Sequence, residues 1–372
     1  MLPAASVDRG DRDRCPGTLT VHEAADGGLA RIRIPGGFVT ARQLRAIASA
    51  SREIGNGIVE LTSRGNVQVR GIPAGSEREL GDRLAAAGLL PSESHELVRN
   101  IVASPLAGLD APLEVGPIVR ALDERLCATP LFAELPGRFL FAIDDGRGDV
   151  AALGADVTAV LTPTGAVVEG FVVESAVSGL LAVAEAFLAE RAAQKSSAWR
   201  IDELDGGRHA ALARASLGAW LGPTAPAERP PAPAGRIRQL DGRAALVVLA
   251  PLGRLTSGQL ELIATCTTTR ARVTPWRSVV LPDLDDAGAV SATAAAAGLG
   301  VDATSRWYGV SACTGMPGCA KALADVQADA TSSQRRPGEV VHWSGCERRC
   351  GRPTDTTIDI VATTEGYRTS GG

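Results

Sequence analysis

Two pairs of cysteines stand close to the C-terminal end of the sequence. The first pair is Cys313 and Cys319 in "CTGMPGC", with five residues between them. The second is Cys346 and Cys350 in "VHWSGCERRCGRP", with three between. Four thiolates are the ligand set of a cubane iron–sulfur cluster. The neighbours suit that use: Gly315, Pro317 and Gly318 on one side, and Gly345, Gly351 and Pro353 on the other, let the backbone turn tightly around a bulky core. A structural zinc site is the rival reading, but zinc knuckles favour two to four intervening residues, and the first pair exceeds that. The other cysteines, Cys15, Cys127 and Cys266, are scattered without a spacing pattern and read as small buried apolar residues.

The remaining chemistry must come from arginine. Lysine occurs only at Lys195 and Lys321, so any anion site is built from guanidinium groups, which hold carboxylates in a planar fork. A coding bias explains the imbalance itself. The net charge of −4 gives no broad basic surface for nucleic acid. No apolar run reaches the length of a membrane span. The opening "MLPAASVDRGDRDRC" lacks the apolar centre of a secretory signal, so a cytoplasmic location is expected, where thiols stay reduced.

The elements that position these residues are read from periodicity. "LARIRIPGGFV" (29–39) alternates as a strand and ends in a Gly-Gly turn. Thr40 then caps a helix over 40–55 with Leu44, Ile47, Ala48 and Ile54 on its apolar face. Residues 57–72 return to strand on either side of a turn at Ser63–Asn66, and 75–89 form a second helix. The same order recurs after "GPTAPAERPPAPAG" (222–235), a semi-rigid Pro/Ala linker. Gly37, Thr40, Gln43 and Leu44 match Gly253, Thr256, Gln259 and Leu260, and Thr62 matches Thr274. Two alignments in the same order indicate an internal repeat, whose copies can enclose a ligand cleft.

Together, "VELTSRGNVQVRGI", "NIVASPLAGLDA", "LPGRFLFAIDDG", "RVTPWRSVVLPDL" and the C-x5-C…C-x3-C cysteines resemble the nitrite and sulfite reductase superfamily. The resemblance covers most of the chain. It implies an α+β fold, nitrite/sulfite reductase-like, with two ferredoxin-like half-domain repeats and two α/β domains that bind a cluster and a tetrapyrrole. The expected division is a disordered N-terminus (1–17), half-domain 1 (18–92), α/β domain 1 (93–221), the linker (222–235), half-domain 2 (236–288) and a [4Fe–4S]-binding domain 2 (289–372). The resemblance implies that Cys313, Cys319, Cys346 and Cys350 hold a [4Fe–4S] cluster and that Cys350 faces the metal of a tetrapyrrole.

Within the superfamily, "ASPLAGLDA", "FAIDDG", "TPWRS" and the short chain resemble the branch that serves aerobic cobalamin synthesis. That branch uses O2 to hydroxylate the reduced tetrapyrrole precorrin-3A at its meso carbon C20 and closes a γ-lactone with a ring acetate. Electrons would come from NADH or a reduced carrier protein; no G-x-G-x-x-G motif suggests a dinucleotide site within the chain. The alternative is a siroheme-dependent sulfite or nitrite reductase, whose "LPRKFK"-like stretch carries lysines for a small anion. Here that stretch reads "LPGRFLF", with Arg138 retained and Leu140 in place of the second lysine, which weakens the alternative. A third reading is an electron carrier without an open cleft.

For a substrate rich in carboxylates, the candidate contacts are Arg64, Asn66 and Arg70 in the first copy, Arg277 in the second, and Arg138; Arg31, Arg33, Arg99 and Asn100 are secondary. Trp276 is placed either against a macrocycle or in the core. The cobalamin branch is also associated with a mononuclear non-haem iron, for which two His and a carboxylate are the usual ligands. His22, His95, His209 and His342 form no such pattern, and no ligand set is assigned.

Overall fold

The matched residues of the repeat are the ones that start its helices. In the computed structural model, Thr40 accepts a hydrogen bond from the Gln43 amide while Gln43 Oε1 accepts from the Thr40 amide, a reciprocal capping box. Thr256 and Gln259 build the same box in the second copy. Gly37 and Gly253 match for a different reason. Both have positive φ, 76° and 78°, and a Cβ on Gly37 would lie 2.0 Å from the Val273 carbonyl oxygen.

The structure describes residues 15–222, 234–333, 339–353 and 356–371. The tail at 1–14 and most of the Pro/Ala linker, 223–233, lie outside them. The first copy runs β1 (His22–Ala24), β2 (Gly27–Ile32), β3 (Phe38–Val39), α1 (Ala41–Glu53), β4 (Ile58–Leu61), β5 (Val67–Ile72) and α2 (Glu77–Ala86). An α/β unit follows with β6 (Ile101–Ala103), α3 (Gly116–Ala128), β7 (Phe141–Asp144), β8 (Val157–Thr162), β9 (Gly165–Val168), β10 (Phe171–Val173), α4 (Ala176–Ala193) and α5 (Gly207–Arg214). The second copy comprises β11 (Gly235–Arg238), β12 (Ala244–Leu249), β13 (Arg254–Thr256), α6 (Ser257–Cys266), β14 (Ala271–Val273), β15 (Ser278–Leu284) and α7 (Ala287–Ala296). The last unit holds β16 (Val310–Ala312), α8 (Val326–Ser332), β17 (Val341–Ser344), β18 (Ile358–Thr363) and β19 (Gly366–Gly371).

The two copies exchange an edge strand. The first sheet has the order β1-β2-β5-β4-β13 and the second β11-β12-β15-β14-β3, so each ends in a strand from the other copy. The exchange closes an open edge on both sheets, a hazard for any exposed strand. One core is shared: Ile32, Val59, Val69, Leu44 and Ile47 of the first copy pack with Leu246, Val279, Leu281, Leu260 and Ile263 of the second. Ala287, Ala294 and Leu299 also lie in this core, so the second copy runs past residue 288.

The two α/β units are likewise paired. β6, β7 and β8 run parallel and β8 pairs antiparallel with β9; β16, β17 and β18 run parallel and β18 pairs antiparallel with β19. Loops beyond the carboxyl ends of such parallel strands are where α/β folds bind ligands. In the last unit, the loops after β16 and β17 carry the four cysteines.

Candidate functional site

Both cysteine loops are gathered onto one another by backbone contacts. The Gly345 amide donates to Cys313 Sγ at 3.1 Å, and the Cys313 amide donates to the Trp343 carbonyl at 2.9 Å. Burial raises the Cys313 pKa, the Gly345 and Gly315 amides oppose that rise, and the charges of Cys350 and Cys319 reinforce it. Those last two causes place Cys313 close to a thiol on each loop. Gly315 has φ of 66° and Gly345 packs so close to Ala322 that a Cβ would sit 2.8 Å from it, so a side chain at either position would push the loops apart.

Among the described residues, no three cysteine sulfurs lie within 4.8 Å of one another. Tetrahedral zinc with Zn–S bonds of about 2.3 Å requires sulfurs roughly 3.8 Å apart. The thiols as placed are spread more widely than a shared tetrahedral ion would hold them. Amides directed at a sulfur, as at Cys313, are one of the levers by which proteins tune such clusters.

Arginines hold the loops from outside. Arg70 makes a two-pronged pair with Asp26, at 3.0 and 2.8 Å, and donates to the Gly318 carbonyl at 2.8 Å in the first cysteine loop. Arg277 donates to the Gly351 carbonyl at 2.9 Å, directly after Cys350. Arg277 also has φ of 59°, in the left-handed region where the first copy carries Gly65. A non-glycine residue there costs on the order of 1 kcal/mol, and such strain gathers at functional positions.

A cluster of arginines lies on the first copy. Arg33 is 2% exposed, donates to the carbonyls of Leu97 and Pro16, and leaves Nη1 buried without a partner. Burial, with the neighbouring charge of Arg31, pushes its pKa down to about 9. Arg64 is pushed down to about 10, by burial first and then by Arg200 and Arg31. Arg138, whose carbonyl accepts from Arg64 Nη1 at 3.1 Å, stacks on Trp199 at 4.7 Å. Several desolvated guanidinium groups of like charge, one with an unused donor, form a site that an anion would stabilise.

Not every expected residue faces this site. Asn66 is fully buried; its Oδ1 accepts from the Ile34 amide at 2.8 Å and its Nδ2 donates to Asn100 Oδ1 at 3.2 Å. It fixes the turn instead of offering a donor to substrate. Arg70 is held through Nε and Nη2 by Asp26 and the Gly318 carbonyl, which ties it to a cysteine loop. Arg99 is committed to Asp123 and the Leu89 carbonyl. Trp276 packs beside Leu140 and Val150 in a small apolar cluster, the core-packing alternative. Leu140 is itself 3% exposed in that cluster, with its amide on Asp156 Oδ2 at 2.8 Å.

Cys15, expected as a small buried apolar residue, is half-buried and lies near Arg31, Arg33 and Arg64. No spacing signal marks it. Sequence reading also passed over a polar row across the first sheet, Arg31–Gln68–Glu60–Arg254; the polar position at Gln68 within "VQVR" was its one trace. His342 is buried with Nδ1 on Ser311 Oγ at 2.8 Å, and burial followed by Arg277 pushes its pKa down to about 4. It stands as a neutral imidazole beneath the second cysteine loop.

Three comparisons fit this architecture. Residues 22–87 match the nitrite/sulfite reductase ferredoxin-like half domain. The structure of the Mycobacterium tuberculosis NirA protein superposes with a TM-score of 0.76 at 23% identity, covering 92% of this chain and 73% of that one. Fold and matched domain thus define the class: an α+β protein of the nitrite/sulfite reductase-like fold. Over nearly its whole length the chain is similar to precorrin-3B synthase from Sinorhizobium sp, at 28% identity covering 98% of this chain and 83% of the relative. It is also similar to ferredoxin–nitrite reductase from Synechococcus elongatus, at 27% identity over 90% of this chain and 76% of the relative. These relatives are oxidoreductase-type enzymes. Among the described residues no helix is long and apolar enough to cross a membrane.

Proposed function

We propose that the chain is a precorrin-3B synthase, which hydroxylates precorrin-3A at C20 with O2 and closes the γ-lactone. The observation that carries this reading is the buried, unpartnered Arg33 Nη1 within a cluster of desolvated arginines. A tetrapyrrole bearing many carboxylates supplies the missing acceptors. Arg31, Arg33, Arg64 and Arg138 would bind and orient those carboxylates, and Arg277 would reach the site from the second copy.

Cys313, Cys319, Cys346 and Cys350 suit a [4Fe–4S] cluster by donor chemistry and by the amide directed at Cys313. Such a cluster supplies electrons one at a time. One oxygen atom of O2 enters the substrate and the other leaves as water, which consumes two electrons and two protons. NADH or a reduced carrier protein would be their source.

The mononuclear iron implied by the resemblance finds no fit. Among the described residues the one close group of metal-capable side chains is Asp144, Asp145 and Asp149. The guanidinium of Arg147 already occupies it, at 2.7 Å from Asp145 and 4.0 Å from Asp149. No step is derived through that iron.

The second reading, a siroheme-dependent nitrite or sulfite reductase, is favoured by the long similarity to ferredoxin–nitrite reductase. Leu140 opposes it, because a buried leucine neither binds nor protonates a small anion. Optical spectra of the anaerobically purified protein separate the two. The synthase shows a broad cluster band without the intense red-region absorption of siroheme; siroheme accompanied by sulfite or nitrite turnover sinks the first reading.

A further inference from the structure

The polar row on the first sheet leads from the arginine cluster to a cysteine. Register sets Arg31 opposite Gln68, Gln68 opposite Glu60, and Glu60 opposite Arg254, across β2, β5, β4 and the exchanged strand β13. The side chains connect in the same order. Arg31 Nε donates to Gln68 Oε1 at 2.9 Å, and Gln68 Nε2 donates to Glu60 Oε2 at 3.0 Å. Glu60 Oε1 lies 3.9 Å from Arg254 Nε, an ion pair without a hydrogen bond, since that Nε is buried and unpartnered. Arg254 Nη1 donates to Gln327 Oε1 on α8, and Gln327 Nε2 donates to the Cys313 carbonyl at 3.1 Å.

The twin sheet serves as an internal control. Its equivalent row is Val247–Val280–Arg272–Phe38, in the same register. Its valines pack against Leu106 and Leu109. At the Glu60 position stands Arg272, which donates to the carbonyls of Pro105 and Ala107 and lies over Phe38. The fold therefore accepts this row with valines at the Arg31 and Gln68 positions, and the Arg31–Gln68–Glu60 links of the first copy are not demanded by folding. Glu60 is also the shared acid of this surface: its charge acts on Arg31, Arg70 and Arg277, and it lies beside Arg254.

We infer that Gln68, Glu60, Arg254 and Gln327 are positioning residues that tie the anion-binding arginines to the Cys313 loop, and that they set the reduction potential of the cluster held there. The inference rests on the four-cysteine reading. Gln327 is the last link: its amide fixes the Cys313 peptide, and its carbonyl is fixed by Arg254. Losing a single hydrogen bond of this kind can change a redox equilibrium by up to about tenfold. Linkage requires reciprocity: a polycarboxylate bound at Arg31 must shift the potential, and reduction must shift its affinity.

The test is EPR-monitored redox titration of the whole purified protein, with iron and sulfide counted in parallel. Wild-type protein without iron overturns the cluster reading and this inference together. In loaded protein, Gln327→Leu is expected to keep its iron, sulfide and melting temperature while the ratio of oxidised to reduced cluster at a fixed poise changes by about tenfold. An unchanged midpoint in that loaded variant refutes the inference and leaves the cluster reading standing. If Gln327→Leu loses the cluster, Glu60→Gln, two links away, decides by the same criterion. Adding precorrin-3A is then expected to move the wild-type midpoint and to leave that of the loaded variant in place. Equal movement in both overturns the coupling.

Discussion

The two α/β units have the same strand plan and opposite chemistry at the same place. In the last unit, Cys313 follows β16, and Cys346 and Cys350 follow β17. In the earlier unit, Ser104 follows β6 and the segment Asp145–Val150 follows β7. There the loops are joined by hydrogen bonds and ion pairs. Ser104 Oγ donates to Asp149 Oδ1 at 2.6 Å, and Arg147 lies 2.7 Å from Asp145 and 2.6 Å from Asp110. Asp144 accepts from the amides of Gly146, Gly148, Val150 and Ala151. The fold brings two loops together at the ends of parallel strands in both units. Side chains then decide whether a buried ionic knot or a set of thiolates closes the gap.

Breaking each closure should give opposite failures. The largest effect is expected from Cys313→Ser, which should lose iron and sulfide together while the mirrored Ser104→Ala keeps both. Metal analysis of the two variants checks this, and retention of iron by Cys313→Ser contradicts the four-thiolate assignment. Arg147→Leu should do the reverse. It strands Asp145 in the interior, and breaking a buried pair costs about 3–5 kcal/mol, so thermal unfolding should fall sharply with iron per folded chain unchanged.

The ionic knot also titrates. Burial, more than the nearby acids, raises the Asp149 pKa from 3.8 to about 6. Between about pH 4 and 6 the folded chain holds a proton that the unfolded chain has released, so stability from this group falls as pH rises through that window. Asp149→Asn should flatten that slope, with a difference on the order of 1–3 kcal/mol at neutral pH in urea titrations. A slope identical to wild type removes Asp149 as its cause. The smallest effect concerns the repeat turns. Arg277→Gly relieves a left-handed residue and should stabilise by up to about 1 kcal/mol, yet weaken tetrapyrrole binding by freeing the Gly351 loop. Calorimetry and a binding titration read the two signs separately.

The sequence made the cysteine half legible and the ionic half obscure. Four scarce thiols with glycine and proline beside them mark themselves as one group by spacing, and the structure brings Cys313 near a thiol on each loop. The capping boxes at Thr40 and Thr256 announced the repeat, because a helix start needs few residues and those residues matched. The strand exchange was hidden: β3 and β13 are short, and nothing local says which sheet they complete. The contacts of Asn66 and Arg70 were hidden for a related reason. Their partners are distant in sequence, Asn100 for one and Asp26 and Gly318 for the other. The polar row through Glu60 was equally out of reach, since it exists only as a cross-strand register.

The central claim is that the cysteine half serves oxygen chemistry on a tetrapyrrole. Anaerobically purified protein, given precorrin-3A, a reductant and isotopically labelled O2, should yield a lactone heavier than the substrate by one labelled oxygen atom, seen by mass spectrometry. Unlabelled, unchanged precorrin-3A from protein that reduces sulfite or nitrite through bound siroheme would contradict the account.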